Sequence, residues 1–284
     1  MRRCISIVLL LLLAITVSAI TYSEDLIVKA INGDAEAQND AGIAYYQGAG
    51  ITQDYVQATE WFMKSAKQGY SAGQSNLGYC YYHGEGVKQD FAEAVKWIRK
   101  AADQGLDEAQ HNLGACYQNG EGVKQNQKEA LKWYRLAAEQ GWLDSQITLA
   151  DYYYLTEGEV QNFPEAYKWY KLAAEQGDAN AQFRVARCLE TGKGVAQDFA
   201  AAVGWYEEAA QQGHNNAQFN LGVLCYNGTG VEEDNSQAYF WWLLAEACGY
   251  EGAENNIEQV LALLSDDDAE YVEQMADDWL NQHR

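Results

Sequence analysis

The sequence predicts an all-α fold: a right-handed superhelical α/α solenoid of six helix-turn-helix repeats with a C-terminal helical cap. Three observations predict it. First, a phrase recurs: QGAGITQD from Gln47, HGEGVKQD from His83, NGEGVKQN from Asn119, TGKGVAQD from Thr191 and NGTGVEED from Asn227, with a worn copy, TEGEVQN, from Thr156. Second, Gly33, Gly69, Gly105, Gly141, Gly177, Gly213 and Gly249 follow one another at a constant 36 residues, so six units fill 33–248 without insertions. Their bounds are 33–68, 69–104, 105–140, 141–176, 177–212 and 213–248. Third, each unit carries two amphipathic patterns; in the third, Ala109, Leu113 and Tyr117 recur four apart, and Ala130, Trp133, Tyr134 and Ala137 recur at steps of three and four. A single helix pair is too small to bury its own apolar faces, so neighbouring pairs must stack.

The elements follow in order. Residues 1–19 read as a signal peptide: MRR is a short positive region, Ile5 to Val17 an apolar stretch, and Val17-Ser18-Ala19 a small-residue cleavage site. Cys4 precedes the apolar stretch, whereas a lipid-modified bacterial cysteine would follow it. The mature chain is therefore expected to begin near Ile20, in the periplasm or secreted, with no stable membrane insertion after cleavage. Residues 20–32 form a lead-in helix, and 249–284 the helical cap, with Asp266, Asp267 and Asp268 as a solvated acidic stretch.

Within each unit the second helix opens at Asp54, Asp90, Asn126, Asn162, Asp198 or Asp234, and five of these six have Glu or Gln three residues later, a capping box. Each second helix stops at the glycine that starts the next unit, as in a left-handed C-terminal cap. The Gly-x-Gly-Val phrase lies between the two helices and reads as a turn whose valine anchors it. A phosphate loop would instead follow a strand and carry Gly-Lys-Ser/Thr, and neither is present. In the fourth unit Thr156 and Glu159 replace the turn's Gly and Val, which loosens the bend, while Pro164 falls in the first turn of the second helix, where proline is tolerated. Small residues at Gly42, Gly78, Gly114, Ala150, Ala186 and Gly222 let paired helices approach closely.

Charge narrows the partners. The chain carries a formal −22, about −24 without Arg2 and Arg3, so a nucleic acid or an anionic membrane would be repelled. One proline and 21% charged residues exclude disordered and collagenous classes.

Ala, Gly or Ser before Gln near the start of each unit, an apolar residue before Gly or Ala, the turn, an alanine and then Trp61, Trp97, Trp133, Trp169, Trp205 or Trp241 together resemble the Sel-one-like repeat family, relatives of the tetratricopeptide repeats. The resemblance covers Gly33 to Cys248. It implies a binding module, a secreted or periplasmic adaptor or scaffold that presents a concave helical surface to one or more protein segments. The tryptophans, recurring in one column, read as core.

Chemistry is sparse. Cys80, Cys116, Cys188, Cys225 and Cys248 are odd in number once Cys4 leaves with the leader, so not all can pair. Cys80 and Cys116 stand at equivalent positions of adjacent units, and helices about 8–10 Å apart exceed a disulfide's reach. Cysteine-rich secreted members of the family staple every unit with a cysteine pair; that pattern is absent, and small buried thiols are expected. His83, His111, His214 and His283 show no metal-ligand spacing, so neither metal nor cofactor is expected. Some cysteine-rich relatives are described as penicillin-binding or β-lactamase-like, making an envelope glycan-binding protein or hydrolase the alternative reading. Ser-x-x-Lys and Lys-Thr-Gly are both missing, so no catalytic residue is assigned and the chain is read as a non-enzyme.

If the first helices line the inner curve, as in tetratricopeptide relatives, positions opposite the core face meet the partner. That face offers Asn39, Ile43 and Tyr46; Asn76, Tyr79 and Tyr82; His111, Asn112 and Gln118; Asp151 and Tyr154; Phe183, Arg184 and Arg187; and Phe219, Asn220 and Tyr226. Aromatics would grip apolar side chains, asparagines pair with an extended backbone, and the two arginines take a carboxylate, unless they are spent on Asp151 or Glu190.

Overall fold

A computed structural model describes residues 21–283 except 157, 159 and 160. The leader, Ile20 and Glu159 therefore lie outside the described residues. Fifteen helices and no strand occur among them. The helices are α1 Glu24–Ile31, α2 Ala35–Gln47, α3 Tyr55–Lys67, α4 Ser71–His83, α5 Phe91–Asp103, α6 Asp107–Asn119, α7 Gln127–Glu139, α8 Leu143–Leu155, α9 Phe163–Glu175, α10 Ala179–Thr191, α11 Phe199–Gln211, α12 Asn215–Asn227, α13 Asn235–Ala247, α14 Glu254–Leu261 and α15 Asp266–Gln282. The twelve helices of the repeats, α2 to α13, are each 13 residues long. None is long and apolar enough to cross a membrane.

The chain divides into two compact units, one ending at Ser145 and the other starting at Gln146, inside α8. In the first, three apolar clusters form. Ala30, Ala37, Ala41 and Trp61 join α1, α2 and α3; Ile43, Ala58, Phe62, Ala66, Leu77 and Cys80 join α2, α3 and α4; Ala94, Val95, Ile98, Leu113 and Trp133 are among those joining α5, α6 and α7. Each helix pair thus shares its apolar face with the next, which is the solenoid's logic. Full burial of Phe62 or Leu77 is worth about 1.5–3 kcal/mol each. In the second unit Trp169, Trp242, Tyr170, Tyr206 and Tyr239 are the largest fully buried rings, and Leu221 and Val185 are fully buried too. There α14 and α15 pack on α13, and Tyr239 donates to Glu273 of α15.

Close approach depends on the small residues. A Cβ on Gly42, Gly78, Gly114 or Gly222 would come within 2.5–2.8 Å of Phe62, Ile98, Tyr134 or Trp242 of the paired helix. The turns are equally tight. In the third repeat Gly120 ends α6 at φ +78, and Gly122 follows at +69, where an added Cβ would lie 2.0 Å from the carbonyl oxygen of Phe91 in the preceding pair. The fourth turn differs as its sequence implies: Gly158 meets nothing within 4 Å. Val87 and Val123 pack on the cores beneath their turns.

The second helices are capped as expected: each Asp or Asn accepts from the backbone N–H two or three residues on. The return arm of the capping box is replaced. The cap residue's own N–H donates to a carbonyl of the first helix, for example Asp90 to Tyr81 and Asn126 to Tyr117 at 2.8–2.9 Å, which leaves nothing for the glutamate to satisfy.

A second correction concerns the tryptophans. Trp61, Trp133, Trp169 and Trp241 are buried, but Trp97 and Trp205 are only half-buried, so the column is not uniformly core. The thiols follow expectation in burial for Cys80, Cys116, Cys188 and Cys225, whereas Cys248 is half-buried. Burial pushes the Cys80 and Cys116 thiols up to about 12, so they stay protonated and unreactive.

One polar ladder runs beneath the repeats. Gln38, Gln74, Gln110, Gln182 and Gln218 each donate from Nε2 to an alanine carbonyl near the end of the preceding helix. The Oε1 atoms of Gln38, Gln74, Gln110, Gln146 and Gln182 each accept at 2.8 Å from a glutamine 30 residues later, Gln68, Gln104, Gln140, Gln176 and Gln212. In the sixth repeat Cys248 replaces that donor, and the buried Gln218 Oε1 has no partner.

Candidate functional site

The first-helix face does not expose all the residues assigned to it. In the first unit Asn39, Asn76 and Asn112 are at most 3% exposed, and Asn76 Nδ2 donates to Asn39 Oδ1 at 2.8 Å. These buried asparagines therefore cannot pair with a partner's backbone, and Asn39 and Asn76 instead pair with each other between neighbouring helices. Ile43 is buried as well. Tyr46, Tyr79 and Tyr82 are half-buried, with Tyr46 donating to Glu85 and Tyr82 to Glu121, both at 2.6 Å. Each such bond ties a first helix to the turn of the next repeat, so these hydroxyls brace the stack while their rings stay partly open. Burial raises the Tyr46 hydroxyl above its ordinary range, and the bond to Glu85 adds to it.

His111 is also structural. Its Nδ1 lies 2.8 Å from Ser145 Oγ, with Tyr134 and Trp142 beside the ring, and burial lowers its pKa to about 4. Ser145 is fully buried, so this Ser-His contact is closed to any substrate carbonyl. Gln118 Oε1 accepts from Tyr134.

The second unit gathers the open chemistry. A cavity of ≈ 390 Å³ lies between α8, α10 and the start of α12, and Ile147, Asp151, Tyr170, Phe183, Arg184 and His214 line it, with the exposed amides of Asn180 and Asn216 at its edge. Phe183 and Arg184 were expected on this face. They are adjacent on α10, both half-buried, just before the core-facing Val185. Phe183 stacks on His214 at 4.7 Å and 23°. His214 also caps α12, its Nδ1 accepting from the Ala217 N–H at 3.2 Å. That bond needs a lone pair on Nδ1, and burial lowers the pKa, so the ring is neutral at pH 7.

Arg184 makes no ion pair among the described residues, its one ring contact being with Tyr154 at 5.9 Å. The expected competitors are occupied. Asp151 accepts from Tyr170, Glu190 accepts from Tyr206, and Arg187 pairs loosely with Glu190 at 3.8 Å. Tyr154 packs edge-on against Phe163 and Tyr170. Farther along, Phe219 stacks on Tyr250 at 4.2 Å, Asn220 donates to Tyr206, and Tyr226 lies against Trp242. The arrangement therefore offers one uncommitted guanidinium beside an aromatic wall, which suits a carboxylate with an apolar neighbour.

Sequence reasoning missed Ile147, Tyr170, Asn180, His214 and Asn216. Asn180 and Asn216 stand 36 residues apart in the repeat frame, the one signal that could have found them. Among the described residues, no group of three or more His, Cys, Asp or Glu side chains is placed to hold a metal ion.

The Sel1 repeat pattern matches residues 35–70, 71–106, 107–142, 143–178, 179–214 and 215–250. Among solved structures, the chain is similar to c5321, a protective antigen present in uropathogenic Escherichia coli strains that displays an SLR fold. The two share 35% identity and a TM-score of 0.78 over 92% of this chain and 55% of that one. It thus spans about half the length of that relative. A Sel1 repeat protein from Oxalobacter formigenes is similar at 34% identity and a TM-score of 0.59, over 75% of this chain and 85% of that one. No curated protein matches. Sel1 repeat proteins are generally protein-interaction scaffolds, typically without enzymatic activity. Six matched units in unbroken register, each a helix pair, make this chain a member of the Sel1 repeat family.

Proposed function

We propose that this chain is a secreted or periplasmic adaptor that holds a protein segment against the first-helix face of its second unit. The observation that carries the reading is Arg184: a guanidinium with no ion pair among the described residues, in a cavity lined also by Phe183, His214 and Asp151, in a chain of net charge −22. An acidic side chain or a chain-terminal carboxylate would complete it, while Phe183 and Ile147 take an apolar neighbour and the Asn180 and Asn216 amides meet an extended backbone. Export is supported by the order of MRR, the apolar stretch and Val17-Ser18-Ala19.

The experiment is capture of partners from an envelope extract by the mature protein and by Arg184→Ala and Phe183→Ala variants, identified by mass spectrometry, with binding of the captured partner then measured directly. Loss of about 1.5–3 kcal/mol of affinity in Arg184→Ala, at unchanged helical content, is the expected result. Wild-type affinity in both variants would overturn the site. Recovery of an amino terminus at Met1 from the cytoplasm would overturn the export.

A further inference from the structure

On the second-helix face of the same unit lies a different cavity, ≈ 540 Å³, between α9 and α11, with Ala174, Ala201, Gly204 and Trp205 as its walls and Glu175 and Glu208 as its acidic groups. The repeat frame shows what is unusual about it. Four of the six repeat tryptophans carry a lysine of this chain over the ring: Lys64 over Trp61 at 3.7 Å, Lys100 over Trp97 at 4.0 Å, Lys132 over Trp133 at 5.4 Å and Lys168 over Trp169 at 5.0 Å. These lysines stand either one residue before the tryptophan or three after it. In the sixth repeat Phe240 packs against Trp241 at 5.0 Å instead.

In the fifth repeat both lysine positions have changed, to Gly204 and Glu208. Trp205 is half-buried, and no cation or ring of the described residues covers it. A Cβ on Gly204 would meet nothing within 4 Å, so the space that a lysine stem fills in the neighbouring repeats is empty. Glu175 reaches only the exposed Lys171, at 3.8 Å. An indole face without its cation, flanked by carboxylates, attracts a cation from elsewhere through the ring quadrupole and the acidic charge together.

We propose that the Trp205 cavity receives a lysine or arginine side chain from a basic segment of a partner protein, the partner supplying the cation that the other repeats provide internally. This goes beyond the Arg184 site, which lies on the opposite helices of the repeats and would take an anionic group.

The test uses mature protein carrying 5-fluorotryptophan, with the Trp205 fluorine resonance assigned by its loss in Trp205→Phe. Acetylated, amidated Gly-Arg-Gly and Gly-Lys-Gly are titrated beside Gly-Gln-Gly and choline. The cationic peptides should move the Trp205 resonance and saturate, and Gly-Gln-Gly should not. Gly204→Lys, which restores an internal lid, should weaken binding about tenfold or more, whereas Arg184→Ala, outside this cavity, should leave it unchanged. No movement of that resonance, or equal binding by Gly204→Lys, would overturn the proposal. Tighter saturation by choline than by either peptide would also overturn it, because the occupant would then be a free ammonium ligand.

Discussion

Replacing Cys248 by glutamine should stabilise the protein, because it completes a ladder that the sixth repeat leaves open. In the five earlier repeats, a glutamine at this position donates to a buried glutamine Oε1 at 2.8 Å; Gln218 Oε1 is the corresponding acceptor, in a residue with 0% exposure, and it has no donor. An unsatisfied buried acceptor costs about 1–3 kcal/mol, and a typical internal hydrogen bond returns about 0.5–1.5 kcal/mol net, so a gain of about 1 kcal/mol is expected. The carbonyl of Cys248, which accepts from Asn215, keeps its role because only the side chain changes. For a chain of this size 1 kcal/mol is roughly 2–4 °C in melting temperature, readable by circular dichroism and by urea titration. A double-mutant cycle isolates the cause: in a Gln218→Leu background the Cys248→Gln change should give no gain. The mirror change, Gln140→Ala, should cost about 1–3 kcal/mol by orphaning Gln110 Oε1. Equal effects of Cys248→Gln in both backgrounds would refute the ladder as the reason.

Three further outcomes are expected. Gly122→Ala should cost roughly 2–5 kcal/mol, combining left-handed backbone strain with a Cβ placed 2.0 Å from Phe91 O, while Gly158→Ala should cost only the strain, about 1–2 kcal/mol; urea unfolding compares them. Trp133→Ala should cost about 3–5 kcal/mol because the ring is 6% exposed inside the first unit, and Trp279→Ala, whose half-buried ring stacks on His283, clearly less. Burial raises the Glu108 carboxyl from 4.5 to about 8 and lowers the His111 imidazole from 6.5 to about 4, so the two act over overlapping pH windows with opposite slopes. Stability from Glu108 is full below its ordinary value and lost as pH rises through 8, whereas that from His111 is full above 6.5 and lost as pH falls through 4. Glu108→Gln should flatten the loss as pH rises from 4.5 to about 8, and His111→Gln the loss as pH falls from 6.5 to about 4, each by up to about 1.4 kcal/mol per pH unit in urea titrations.

Local chemistry made most of the fold legible. The 36-residue period, the Asp and Asn caps, the glycine stops and the small residues at Gly42, Gly78, Gly114 and Gly222 all act over a few neighbouring positions or across one helix pair, and the structure shows each in its expected place. The sequence by itself also put Phe183 and Arg184 next to each other on a predicted first helix, away from its core positions, because the helical period needs no tertiary information. It could not decide which side chains on that face remain open. Asn39, Asn76 and Asn112 are buried, the first two hydrogen-bonded to each other across neighbouring repeats, while Arg184, in a cavity that Asp151 also lines, makes no ion pair among the described residues. Nor could it assign the cap N–H groups, which the preceding helix takes before the glutamates can. Exposure, and competition for a hydrogen-bond partner, depend on the distance between elements remote in sequence. The tertiary structure therefore decided that Trp205, alike in letter to its five counterparts, stands beside an open cavity where four of the others lie under a lysine.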